Sequence, residues 1–216
     1  MSTRTESSLL KRTMQVLLAL AMALYFAPGL LLTPQKAWAD TVTEGGVAIT
    51  VTDGKASVDN LAKLKLAVKS ASVTTIEVTA DIVIDRAVSI TRNLTINGGE
   101  HVIRVATPYV NEAGACLGIG YSKHNVFTIG SGVTATLSNM TVYGGNCASA
   151  GGIVVNGTLV ADNISISRSY RGLYIGSSGT ASLTKCNIVS NVCEYGGGVL
   201  CHNGTYSGAA FLDSLT

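Results

Sequence analysis

Apolar and polar residues alternate in short runs along most of this chain, and the runs return on a fixed beat. Residues 127–155 read FTIGSGVTATLSNMTVYGGNCASAGGIVV, and residues 173–201 read LYIGSSGTASLTKCNIVSNVCEYGGGVLC. Each residue of the second stretch lies 46 positions after its counterpart, as 173 follows 127. Identity is kept at Ile129/Ile175, Gly130/Gly176, Thr134/Thr180, Ala135/Ala181, Leu137/Leu183, Cys147/Cys193 and Gly151-Gly152/Gly197-Gly198, among others. Between the copies, IVVNGTLVADNISIS (153–167) carries the same sub-pattern, so the 46 divides into two units of about 23. Within a unit, Leu137, Met140 and Val142 are apolar with polar residues between them. Period-two alternation places such a set on one side of a strand. A unit this short cannot bury its own apolar side, but a stack of such units can. The pattern therefore predicts an all-β solenoid, a parallel β-helix of roughly six coils of about 23 residues, with equivalent residues about 4.8 Å apart up the stack.

In chain order, the pattern predicts four segments. Residues 1–39 read as a signal peptide, and residues 40–57 as a short strand segment broken at Gly45-Gly46 and Asp53-Gly54. Residues 58–72 read as an amphipathic helix. Asp59 or Ser57 is its cap, Leu61, Leu64, Val68 and Ala71 lie on one face, and Lys63, Lys65 and Lys69 lie toward solvent. An open solenoid end exposes an apolar face and an unpaired strand edge, so a helix placed there serves as a cap. Residues 73–216 are the β-helix. Asn93-Leu94-Thr95-Ile96 precedes Asn139-Met140-Thr141-Val142 by the same 46, which extends the register back to about residue 75. Residues 107–125 break the pattern and read as a loop protruding from one coil. After Thr205 the pattern is lost, and the chain reads as truncated at Thr216.

Composition agrees with this picture. Only 13% of the 216 residues are charged, with 24 Gly and 3 Pro. The formal charge of +2 comes from the N-terminus, where residues 1–39 hold four basic residues and Glu6. The rest then holds 11 basic and 12 acidic residues, with no basic face of interleaved aromatics to bind nucleic acid. In the leader, Lys11 and Arg12 precede the apolar run Met14–Leu32, Pro28-Gly29 breaks it, and Ala37-Trp38-Ala39 gives a small-residue cleavage site. Cleavage would fall between Ala39 and Asp40; an uncleaved anchor helix is the alternative. No membrane segment is expected beyond it. Export would permit disulfides among five Cys. Cys116 with Cys147 is the better pair, against the alternative of no disulfide, while Cys186 and Cys201 align with apolar core positions.

Several of these stretches together resemble right-handed parallel β-helix proteins of the pectate-lyase-like superfamily: the secretion signal, the helix, TIEVTADIVID, LTINGG and the N-x-T-I repeats. Residues 188–199, IVSNVCEYGGGV, are similar to the repeat of polymorphic outer membrane protein adhesins, which pairs F-x-x-N with Gly-Gly-apolar; Ile188 replaces the Phe. That resemblance implies either a carbohydrate-active enzyme or a non-catalytic surface adhesin. Lyase or hydrolase chemistry in a β-helix needs carboxylates, or a carboxylate and a base, at stacked positions of adjacent coils. Asp162 stacks with Ser138 and Thr184 instead, and Asp81 and Asp85 bracket a strand. Glu77 and Glu100 are 23 apart, but one is mid-strand and the other follows a Gly-Gly turn. The alternative enzyme would have its catalytic coils beyond this chain. Asn93, Asn139 and Asn163 each open an N-x-S/T triplet, read as coil-corner residues or as glycosylation acceptors.

Arg168, Tyr170, Arg171, Tyr174, Tyr195 and His202 cluster in the last coils. Aromatic and Arg side chains on a ridged surface stack on sugars or anchor a protein partner, or else form a solvated surface with an Arg171–Glu194 contact. His101, His124 and His202 show no metal-ligand spacing, and no cofactor is expected. The sequence reading is thus an exported, non-catalytic stalk whose partners are host or cell-surface glycans or proteins.

Overall fold

The structure is a computed structural model, and it describes residues 39–108, 124–145, 151–193 and 197–215, with the side chains of 209–215 left aside. The leader, Cys116, Cys147, Glu194 and Tyr195 lie outside the described residues. Among the described residues, no helix is long and apolar enough to cross a membrane.

Among the described residues, fifteen strands and one helix follow one another. The N-terminal strands are β1 (Ala39–Glu44), β2 (Val47–Thr52) and β3 (Lys55–Val58). Helix α1 (Leu61–Lys69) follows, and then β4 (Thr75–Val78), β5 (Ile82–Ile84) and β6 (Val88–Ile90). Long and short strands then alternate. The long ones are β7 (Leu94–Val105), β9 (Thr134–Tyr143), β11 (Thr158–Ser167), β13 (Thr180–Val192) and β15 (Thr205–Leu215). The short ones are β8 (Phe127–Ile129), β10 (Ile153–Val155), β12 (Leu173–Ile175) and β14 (Val199–Cys201). Long strands pair in parallel in the order β4-β7-β9-β11-β13-β15, and short ones in the order β6-β8-β10-β12-β14. This is a parallel β-helix, and its five-stranded short sheet marks about five turns, one fewer than the pattern predicts.

The register explains why the sequence repeats every two coils. Ala135 pairs with Leu159 and Leu159 with Ala181, steps of 24 and 22 that sum to the 46 of the sequence. The next inward column holds Leu137, Ala161 and Leu183. All six side chains are buried. Large sits on small in one column while small sits on large in its neighbour, so the columns interdigitate at interior packing density. Removing such a Leu or Ile from water stabilises the stack by about 1.5–3 kcal/mol each.

Each long strand bends at a corner residue in the left-handed region: Asn139, Asn163 and Lys185 have φ of 51, 53 and 51°. Asn tolerates this conformation because its short amide finds local partners. Here the partners are one another: Asn163 Nδ2 donates to Asn139 Oδ1 and Asn139 Nδ2 to Asn97 Oδ1, both at 3.0 Å. The corner reading of Asn139 and Asn163 is therefore the observed one.

Asn93 is different. The pattern sets Asn93 over Asn139, but Leu94 pairs with Ala135 and His101 with Met140. Strands β7 and β9 are direct neighbours, and the 109–123 stretch lies in the connection between them. The 46-residue match at that point is a coincidence of one lengthened coil. Gly98-Gly99, expected as a turn, sits inside β7 where its register shifts before His101. A Cβ on Gly98 would lie 2.2 Å from Met140 Cβ, which excludes any larger residue.

The N-terminal end also departs in detail. Strands β1 and β2 form an antiparallel hairpin whose first rungs are Ala39↔Thr52 and Asp40↔Val51. Its turn, and that between β2 and β3, use Gly45-Gly46 and Asp53-Gly54, all with positive φ, which suits tight hairpins. Helix α1 spans nine residues rather than fifteen. Its N-cap is Asn60, whose side chain accepts from Lys63 N at 3.0 Å; Ser57 belongs to β3, and Asp59 pairs with Lys63 at 2.8 Å. Leu64, Leu66, Ala67 and Val68 are buried against the strands, while Ala71 lies beyond the helix and is exposed. Arg92 Nε and Nη2 donate to the Val68 and Ala67 carbonyls, satisfying the helix's C-terminal end.

Candidate functional site

After each long strand, the chain crosses to the next short strand at a third corner; Arg168, Tyr170 and Arg171 of the sequence-predicted cluster lie there, while Tyr174 stands on β12 and His202 just after β14. Gly144, Arg168 and Ser190 occupy equivalent places, with φ of 82, 55 and 53°. Just beyond them, a buried polar column ties coil to coil. Gly145 N donates to Ser169 Oγ at 3.1 Å, and Ser169 N donates to Asn191 Oδ1 at 3.0 Å. Asn191 Nδ2 returns to the Ile166 carbonyl at 2.9 Å. Ser169 and Asn191 are fully buried, so these bonds replace water that cannot reach the site. Asn191 is the Asn of the I-x-x-N element. In the preceding copy the Gly-Gly pair is tightly held: a Cβ on Gly151 would lie 2.0 Å from Arg171 O and one on Gly152 2.6 Å from Gly172 O.

On this frame the structure divides the predicted cluster. Arg171 is buried, with 6% of its surface exposed. Its guanidinium lies 5.7 Å from the ring centroids of both Tyr170 and Tyr174, and its Nη2 donates to Cys193 Sγ at 3.2 Å. It is a strut between rings and not an exposed ligand group. Arg168 lies 5.7 Å over the Tyr143 ring, one coil away, and its Nη1 is buried without a hydrogen-bond partner among the described residues. Tyr174 points outward from β12, between Val154 and Leu200 of the neighbouring short strands. Its hydroxyl lies 3.2 Å from Nδ1 of His202, which is exposed. The edge thus presents aromatic faces, a hydroxyl and an imidazole to solvent, backed by a buried cation.

Tyr143, Ser169 and Cys193 were missed as members. Counting one coil back from Ser167 reaches Tyr143, so stacking arithmetic holds the signal for that residue.

Among the described residues, the acids stand apart from this edge. Asp162 stacks between Ser138 and Thr184 as the spacing predicts. Glu77 pairs with Asn97, whose Nδ2 donates to Glu77 Oε2 at 2.7 Å, whereas Glu100 sits at the corner with Oε1 3.3 Å from Asn163 Nδ2. Asp81 accepts from Val102 N, and Asp85 pairs with Lys65, on either side of β5. That hydrogen bond from Lys65 holds the Asp85 carboxyl below the usual carboxylate range, and Lys63 does the same for Asp59. Among the described residues, no group of three or more His, Cys, Asp or Glu could hold a metal ion.

Cysteine positions also resolve. Cys186 is buried as predicted, and burial pushes its thiol above the usual range. Cys201 falls in the Val155–Ile175 column as predicted but is exposed, because β14 is the last strand of its sheet. Cys186, Cys193 and Cys201 are free thiols. The Cys116–Cys147 pairing lies outside the described residues.

A parallel β-helix with short fixed corners on two sides and variable crossings on the third defines a pectate-lyase-like architecture. Comparison with protein-family models narrows this. The model for pectate lyase-like adhesive domains matches residues 55–211, and the chain belongs to that family. Neither a curated protein nor a solved structure gives a match.

Proposed function

We propose that this chain is an exported, cell-surface β-helix rod that binds glycan or protein ligands through its third-corner edge, without catalysis. The family supports an adhesive role. The observation that carries the binding reading is the pair of half-buried Tyr174 and exposed His202 held over buried Arg171. Packing fixes the Tyr174 ring at its inner face, so little side-chain entropy is lost when a sugar ring or a partner side chain stacks against it. The hydroxyl and imidazole supply hydrogen bonds at the rim of that contact. Export rests on the leader, with its basic start, apolar run and Ala37-Trp38-Ala39 site. Stiffness comes from backbone hydrogen bonds running coil to coil along the stack.

Binding of the full chain to an immobilised panel of acidic and neutral glycans and to host-cell surface proteins tests the reading. Tyr174→Ala should weaken the captured ligand at least about tenfold, the scale of a central aromatic contact. His202→Ala should weaken it less. Unchanged binding in both variants would remove this edge as the site.

A further inference from the structure

Tyr174 faces outward on the short-strand side of the third corner. On the long-strand side, one cation has no counter-charge. Arg168 is half-buried, and its Nη1 is fully buried without a hydrogen-bond partner. Among the described residues its guanidinium forms no ion pair and lies 5.7 Å over the Tyr143 ring. The acids that form ion pairs form them elsewhere: Glu44, Asp59 and Asp85 with Lys69, Lys63 and Lys65, and Asp81 with His101. Glu77 and Glu100 accept from Asn97 and Asn163. A partly desolvated guanidinium is costly to leave unpaired.

A second arginine stands beside it. Outward residues at the ends of the long strands stack in register as Val83, Arg104, Tyr143, Ser167 and Val189. Arg104 is therefore one coil below Tyr143, about 4.8 Å along the stack. Arg168 follows Ser167, one coil above, and reaches back over the same ring. Arg104 is half-buried and forms no ion pair among the described residues. Its Nη1 donates only to the Val105 and Ala106 carbonyls, at 3.4 and 3.5 Å, which are long for hydrogen bonds. Tyr143 thus has an arginine from the coil on either side.

We propose that Arg104, Tyr143 and Arg168 form a binding site for an oxyanion, sulfate or carboxylate, carried on a sugar chain. A guanidinium fork matches two oxygens of either group. The Tyr143 ring beneath Arg168 helps to hold that fork in place. The hydroxyls of Tyr143 and Ser167 stand in the same column and offer hydrogen bonds to the hydroxyls of a sugar ring. The coil rise is close to the length of one hexose, so an acidic chain along the stack sets successive groups against successive coils. An extended peptide repeats on one face only every ~6.6 Å and loses that match. Bulk charge does not supply the attraction, because residues 40–216 hold 11 basic and 12 acidic residues.

The test measures binding of the full chain to dextran sulfate, carboxymethyl dextran and unmodified dextran, which share one backbone, and to polyglutamate. At least one acidic dextran should bind, and unmodified dextran and polyglutamate should bind at least tenfold more weakly. The tighter acidic dextran identifies the anion. Arg168→Asn should weaken that binding at least about tenfold, the scale of lost hydrogen bonds to a charged group. Asn suits the left-handed corner that Arg168 occupies, with φ of 55°, so circular dichroism and melting point should match the parent. Lys185→Asn removes the same charge at another left-handed corner, with φ of 51°, and should leave binding unchanged. Arg104→Gln, within a regular strand, should weaken binding several-fold and carries the test if Arg168→Asn melts lower. Tyr174→Ala should leave dextran binding unchanged, so this site and the Tyr174 edge fail on different variants. Four results would each overturn the assignment: no binding to either acidic dextran, equal binding to unmodified dextran or polyglutamate, folded arginine variants that bind like the parent, or equal loss in Lys185→Asn or Tyr174→Ala.

Discussion

Replacing Asn191 by Ala isolates the buried bonds that hold the third corner together. The native amide is fully buried and makes two backbone bonds, accepting from Ser169 N at 3.0 Å and donating to the Ile166 carbonyl at 2.9 Å. Ala leaves a buried N–H and a buried C=O without partners, each costing about 1–3 kcal/mol. The expected loss is about 3 kcal/mol, near the lower part of the summed range because a water can enter the vacated volume. With a urea slope near 2 kcal/mol per molar, the midpoint falls by about 1.5 M. Asn191→Leu is the informative control. It fills the volume and still satisfies neither backbone group, so it should fall by nearly as much. Urea unfolding followed by circular dichroism measures all three chains. A Leu variant as stable as the parent would mean that volume, not hydrogen bonding, fixes the Asn at this position, and the account of the corner would be wrong.

The interior alternation makes its own demand. Leu159→Ala should cost about 4 kcal/mol, toward the upper end for such truncations, because its column neighbours Ala135 and Ala181 carry only a methyl group and cannot relax into the gap. Acid should weaken the tie between α1 and β5. The hydrogen bond from Lys65 holds the Asp85 carboxyl below its ordinary range, so its contribution is present above the unfolded carboxylate value and is lost as pH falls through the folded one. The melting point of Asp85→Asn should therefore sit slightly below the parent at neutral pH and converge with it in strong acid. Tyr174→Ala, described above, tests the ligand edge by binding.

What the sequence shows well is what recurs. The strands, their inward faces and the Asn139–Asn163 corner all repeat at coil spacing, so alignment of the chain with itself recovers them. Single events are harder to read. Gly98 and Gly99 look like a turn, yet they let β7 shift register within a strand; Asn93 lies before that shift and misses the corner column because the step from Leu94 to Ala135 is 41 residues and not 46. Helix α1 does not recur at coil spacing, and its cap is Asn60 where the sequence points to Asp59 or Ser57: Asp59 and Asn60 are both competent caps, and only geometry assigns Asp59 to Lys63. Arg171 illustrates a further limit. An arginine among tyrosines looks the same in sequence whether it faces solvent or lies between their rings, and only the fold assigns it to the latter.

The large-on-small alternation of the two inward columns has a consequence for how such a chain can change length through descent. Duplicating or losing a single coil would bring Leu over Leu in one column and Ala over Ala in the other, crowding one half of the interior and hollowing the other. Gain or loss of 46 residues preserves the phase. Over β9, β11 and β13 the unit that keeps the phase is therefore the pair of coils, whereas toward the N-terminus Ile76, Ile96 and Leu137 stack large on large, so double steps are demanded only of the C-terminal coils.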